Sequence, residues 1–146
     1  PKPKNAMKTL LYAFALLCLA TTGCKKDDIA LQATDELPTG LTASRTGMFQ
    51  GAGRYRVSGK ASLLQNTDKL VLRLENFSSS SGPALKVYLS KDTRATSFIN
   101  LGELKALNGN FNYEVDKNRY NADFRYVLIW CEEFSVLFGT AELKTM

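Results

Sequence analysis

The chain has 146 residues, 45% of them apolar and 23% charged, with a formal charge of +5 and no histidine. That length holds one domain of about 100–150 residues. The missing imidazole excludes a Ser-His-Asp triad, a Cys-His pair, a histidine zinc site, histidine-ligated haem and blue copper.

The first segment has a composition of its own. Six residues (PKPKNA) precede Met7 and read as upstream sequence, with Met7-Lys8 opening a basic region. Leu10 to Ala20 (LLYAFALLCLA) is then an unbroken, uncharged run of 11 residues. As a helix it rises about 16 Å, too short for a hydrocarbon core of about 30 Å. The layout is that of a secretory signal peptide. Thr21-Thr22-Gly23-Cys24 follows and resembles the lipobox of bacterial lipoproteins, with threonines where leucine and then alanine or serine are usual. The resemblance implies that the Cys24 sulfur takes a diacylglycerol, the chain is cut before Cys24, and the new terminus is acylated. Several acyl chains give the lasting membrane hold that one chain does not. Lys25-Lys26-Asp27-Asp28 resembles a lysine-then-acidic export signal, which implies the outer face of the outer membrane; a solvated periplasmic tether is the alternative.

Loss of the leader takes Lys2, Lys4 and Lys8, leaving 16 basic residues against 14 acidic ones, so the mature charge is near +2. No nucleic-acid partner is implied. Cys18 leaves with the leader and Cys24 carries lipid, so Cys131 is the one thiol of the folded part and no intradomain disulfide is expected.

The expected organisation is 1–23 as upstream residues and signal peptide, 24–45 as a lipidated polar tether broken by Pro38 and Gly40, and 46–146 as the domain. The domain reads as strands almost throughout. Tyr55, Val57, Gly59, Ala61 and Leu63 alternate with polar residues, and Leu70, Leu72 and Leu74 repeat the pattern after an Asn66–Asp68 turn. Ser78 to Pro83 reads as a flexible loop, and Leu85, Val87 and Leu89 form a third inward row. Asn108-Gly109 predicts a primed hairpin turn before Phe111, Tyr113 and Val115. Asp116 to Asp123 reads as a polar loop with one helical turn. Tyr126 to Cys131 (YVLIWC), apolar on both faces, predicts a central strand, and Phe134 to Leu143 predicts the last one. About eight short strands without a helix imply an all-β fold, an antiparallel sandwich or barrel.

Few residues can carry chemistry. Glu132-Glu133 are adjacent, and neighbours in a strand face opposite ways, so they make a poor acid/base couple. No glycine-rich phosphate loop follows a strand, and Gly51-Ala52-Gly53 reads as a turn. Cys131 remains, at the end of an apolar strand and beside Trp130. It is either a small buried hydrophobe or a reactive sulfur. The two carboxylates next to it disfavour a thiolate unless a cation such as Arg125 compensates.

YVLIWCEEFSVLFGTAEL resembles the signature of the DM thirteen domain, a small domain assigned to electron transfer. Upstream, Gly47-Met48-Phe49, Val57 to Ala61, Gly82 to Leu89 and Leu101 to Leu104 extend the match over residues 46 to 144. The resemblance implies a redox role for Cys131, as a bare thiol or as a ligand to a group such as haem. Trp130 and Phe134 would shape that site, and Met48 would stand on the far side of a haem. The expected activity is a non-enzymatic electron-transfer module of the cell envelope, with a redox partner protein and a membrane anchor at Cys24. A stand-alone thiol oxidoreductase would lack a resolving cysteine within the domain. The competing reading is a surface binding or adhesion module. There Cys131 is packing and the loops Ser78–Gly82, Lys91–Ser97 and Asp116–Asp123, with Arg119 and Tyr120, meet the ligand.

Overall fold

The structure, a computed structural model, describes residues 29–146. The expected signal peptide, Cys24 with its lipobox and the Lys25–Asp28 run lie outside the described residues.

Ten strands follow one another: β1 (Ala33–Thr34), β2 (Thr42–Gly51), β3 (Val57–Gln65), β4 (Leu70–Ser79), β5 (Leu85–Ser90), β6 (Phe98–Glu103), β7 (Asn108–Glu114), β8 (Tyr126–Cys131), β9 (Val136–Glu142) and β10 (Lys144–Thr145). Among the described residues there is no helix. The fold is all-β, as the alternation implies. The strands form one curled sheet in the order β1-β7-β4-β3-β2-β9-β8-β5-β6, with β10 beside β2. The sheet is mixed, because β1 runs parallel to β7 while the other strand pairs are antiparallel.

Strand β2 turns the corner of this half-barrel. Its first part, Thr42 to Met48, pairs with β3, and Phe49 to Gly51 pair with β9. A strand that changes partners part-way along brings the two halves face to face. Their inward rows then share one core: Ala61 and Leu63; Leu70, Leu72 and Leu74; Leu85, Val87 and Leu89; Phe111 and Tyr113; Val127 and Ile129. Phe77 sits at its centre, edge-on to Phe49 at 5.3 Å and to Phe111 at 5.8 Å. Bulges bend the sheet where the register of β3 and β4 shifts. At that bulge Gly59 has φ +114, and a Cβ there would stand 2.8 Å from the Glu75 carbonyl oxygen.

The polar run before the domain is not wholly a tether. Ile29 and Ala33 pack on the core, and β1 lies along β7. The guanidinium of Arg73, only 6% exposed, holds this segment down. Its Nη1 donates to the carbonyl oxygens of Asp35 and Glu36 and to Asn112 Oδ1, while Nε donates to Glu75. Asp35 in turn bridges Lys105 Nζ at 2.6 Å and accepts the Asn112 amide.

Two turn expectations are corrected. Asn108-Gly109 is not a hairpin turn; it opens β7, which pairs with β4 and not with its predecessor β6. Gly109 has φ +133, and the Ala33 carbonyl oxygen occupies the space where a Cβ would sit. Ser78 and Ser79 belong to β4, so the following loop begins at Ser80, and the Arg56 amide and carbonyl bond to that residue. The helical turn expected after Asp116 is present, with the Tyr120 amide donating to the Asp116 carbonyl.

Candidate functional site at the end of strand β8

Strand β8 is central, between β5 and β9, as its two apolar faces predict. Strand alternation then divides its last residues between two environments. Val127, Ile129 and Cys131 face the core, whereas Trp130 does not belong to it. Cys131 is 0% exposed. Its Sγ donates to the Pro83 carbonyl oxygen at 3.1 Å, beneath the segment that joins β4 to β5. That cover is fixed at each end. Ala84 takes φ +46, its carbonyl accepts the Glu132 amide at 3.1 Å, and Gly82 lies against the Phe138 ring so closely that no Cβ would fit. Phe138 is itself stacked on Tyr55 at 3.7 Å.

The other residues singled out in the sequence are not gathered around this sulfur. Trp130 is half-buried on the outer face, paired in register with Lys86 and Leu137. Phe134 is 64% exposed in the turn between β8 and β9. Met48 is 65% exposed and lines a cleft of about 550 Å³ with Lys60, Tyr126, Thr140 and Glu142. Residue 49 is in register with Ala141, and Ala141 with Val127, so Met48 lies level with the start of β8 and not with its end. A second cleft, about 600 Å³, is lined by Tyr55, Arg56 and Ser78 to Ser80, and Cys131 lines neither. Arg125 precedes the opposite end of β8 and lies over the Tyr126 ring at 5.9 Å, so it does not neutralise charge near Cys131.

These residues do not fit a haem. A macrocycle needs an open face at its axial sulfur, and Cys131 Sγ is enclosed and hydrogen-bonded within the core. Met48 faces solvent elsewhere and cannot complete the ligand pair. Among the described residues no group of three or more His, Cys, Asp or Glu side chains comes together as metal ligands.

The carboxylate beside the cysteine serves another partner. Glu132 turns to the outer face, where the Tyr88 hydroxyl donates to its Oε1 at 2.7 Å. Asn100 Nδ2 donates to the same oxygen at 3.4 Å, and Lys86 Nζ lies 3.9 Å from Oε2. Tyr88 stacks against Phe98 at 4.1 Å and has the Trp130 ring centroid at 6.3 Å. Burial, and then the bond to Glu132, raise the Tyr88 pKa well above the ordinary tyrosine range. Sequence reasoning missed Tyr88. The available signal was its place between the inward residues Val87 and Leu89, which puts a large ring on the outer face of a central strand.

The family model for electron transfer DM13 matches residues 48–143, which take in the end of β2 from Met48, all of β3 to β9, the cysteine and its cover. No curated protein and no solved structure matches the chain. With two thirds of its length under that one model, the chain belongs to the DM13 electron-transfer family.

Proposed function

We propose that the protein is a lipid-anchored electron-transfer module of the bacterial cell envelope whose redox group is the bare thiol of Cys131. The observation that carries this reading is the setting of that sulfur: one buried thiol at the end of β8, hydrogen-bonded to the Pro83 carbonyl of the segment that joins β4 to β5. Displacing the segment would bare the sulfur without unpairing β8 from β5 or β9. The thiolate of Cys131 then attacks a disulfide on an oxidising partner. An S–S bond breaks, a mixed disulfide forms, and the partner's leaving thiolate takes the proton. The first thiol of a reducing dithiol attacks the Cys131 sulfur of the mixed disulfide and releases the oxidising partner as its dithiol; the second thiol then closes the reducing partner's own disulfide and restores the Cys131 thiol. Two electrons thus pass from a dithiol to a disulfide through a chain that needs no second cysteine. The anchor at Cys24 stands 11 residues before Asp35, a reach of at most about 40 Å, so the Arg73 clamp would keep the domain close to the lipid surface.

An aromatic disulfide reagent on the purified protein tests this. The expected result is release of about one equivalent of coloured thiolate per chain without denaturant, and none from Cys131→Val. Reaction only after denaturation would defeat it. The complete burial of Cys131 favours a second reading, a binding module in which the sulfur is core packing and the loops meet a ligand. Under that reading Cys131→Val leaves partner binding and cell phenotype unchanged.

A further inference from the structure

The outer face of strands β5 and β8 carries redox-capable groups that the sulfur chemistry does not use. Tyr88 is only 2% exposed although it points away from the core, because Phe98 is stacked flat on its ring and Trp130 flanks it. Its hydroxyl donates to a carboxylate at 2.7 Å. That carboxylate is positioned in turn by Asn100 from β6 and Lys86 from β5. Trp130, the one tryptophan of the chain, is half-buried and so is reached from solvent. A phenol that loses an electron becomes a strong acid, so its oxidation in a sheltered site requires that the proton leave in the same event. Glu132 already holds the acceptor end of that bond. With the phenol pKa raised, deprotonation before electron loss is closed off at neutral pH.

We propose that Trp130, Tyr88 and Glu132 form a proton-coupled one-electron relay, separate from Cys131, that reduces radical oxidants arriving at the outer face. The oxidant, a small one-electron radical, takes one electron from the Trp130 indole and becomes its reduced anion. Tyr88 refills the indole with one electron and gives its phenolic proton to the Glu132 carboxylate. The net change is one oxidant reduced, a neutral tyrosyl radical and a protonated Glu132. A one-electron reductant of the ascorbate or phenol class returns the electron, and Glu132 returns the proton. Phe98 shields the tyrosyl ring from solvent while it waits.

Azidyl radicals generated by pulse radiolysis in a solution of the purified protein test the relay, since they oxidise indole rapidly and Trp130 is the one indole. The expected result is a first-order decay of the indole radical matched by a rise of tyrosyl absorbance, at a rate independent of protein concentration. In Tyr88→Phe, which keeps the ring and its stacking, the indole radical persists and the matched rise is lost. In Glu132→Gln the amide still accepts the hydrogen bond but cannot keep the proton, and the transfer slows on the order of a hundredfold. Cys131→Val transfers at the parent rate, which separates this relay from the thiol reading. A matched rise that survives in Tyr88→Phe, that scales with protein concentration, or that is unchanged in Glu132→Gln would overturn the proposal.

Discussion

The sulfur of Cys131 and the carbonyl oxygen of Pro83, 48 positions apart in sequence, are joined by a 3.1 Å hydrogen bond at the closed end of the core. The bond and the packing around it make different demands on a replacement. Cys131→Ala removes the sulfur and leaves a small cavity in a region without exposure, a loss of about 2 kcal/mol. Cys131→Val keeps the volume and is expected to lose less than about 1.5 kcal/mol. Cys131→Ser places a hydroxyl in the same apolar wall, but it can donate to Pro83, so it falls between them. Urea denaturation of the three variants checks the order. A valine variant less stable than the alanine one would show that the cover tolerates no branched side chain.

Arg73 makes four donations from a nearly buried guanidinium, three of them from one nitrogen. Removing it takes the guanidinium donor from the Asp35 carbonyl and from Asn112 Oδ1, while the Glu36 carbonyl keeps its bond from Asn112 Nδ2. Arg73→Ala is expected to cost about 2–3 kcal/mol. The effect should be local before it is global, because Glu75 and Asn112 stay fixed in β4 and β7 while the segment before β2 loses the donor to its backbone carbonyls. Limited proteolysis should therefore cut between Ile29 and Leu41 in the variant at protease levels that leave the parent intact. Equal resistance would show that β1 pairing and the bonds from Lys105 and Asn112 hold the segment without Arg73.

Much of this fold is written in local pattern. The inward triplets Leu70-Leu72-Leu74 and Leu85-Val87-Leu89 and the two-sided YVLIW strand announce their faces within a few residues. Period two alone also implies that Trp130 and Cys131 part company, although their adjacency suggests a shared site. What local pattern hides is pairing between distant residues. Nothing near Asp35 reveals that Arg73, Lys105 and Asn112 close over it, so a polar run that forms a parallel strand reads as a tether. Glu132 likewise meets Tyr88 from 44 positions away. Asn108-Gly109 is the instructive case. The dipeptide signals positive φ correctly, but Gly109 stands against the backbone of β1 and not in a hairpin. Gly109→Ala is accordingly expected to lose more than about 2 kcal/mol and to loosen β1 along with β7, as amide exchange at Asp35 would report.

Acid should act through Asp35. Its pKa is lowered chiefly by the bond from Lys105, then by the Asn112 amide. Above about pH 3.9, the ordinary aspartate value, the carboxylate is charged in both states and its contribution is complete. As pH falls below that value the unfolded chain takes up the proton first. The contribution shrinks and is gone once pH passes the depressed folded value. Asp35→Asn should thus lie below the parent in urea midpoint at pH 7 and approach it at pH 3. A gap that stays constant between the two would mean that the carboxylate charge contributes nothing.

Alkali should act through two buried phenols. Tyr113 is pushed up to about 12, mainly by burial, with the Asp35 charge adding to the rise and the Lys105 amide bond to its oxygen opposing it. Tyr88 moves in the same direction for the reasons given above. Both hydroxyls donate in the fold, Tyr113 to the Glu103 carbonyl at 3.2 Å and Tyr88 to Glu132. In the unfolded chain each ionises near pH 10. Their stabilisation is therefore whole below about pH 10 and falls as pH rises toward the folded values, because the unfolded state releases its protons first. For Tyr113 a displacement of that size corresponds to about 2–3 kcal/mol. The urea midpoint should drop steeply above about pH 10, and the phenolate absorbance of these two residues should appear together with unfolding, not before it. Tyr113→Phe loses one neutral hydrogen bond, about 1 kcal/mol at pH 7, yet it should unfold less steeply in alkali than the parent. An alkaline limb identical in parent, Tyr113→Phe and Tyr88→Phe would place the sensitive group elsewhere, and with it the claim that the Tyr88 proton is held for Glu132 would lose its support.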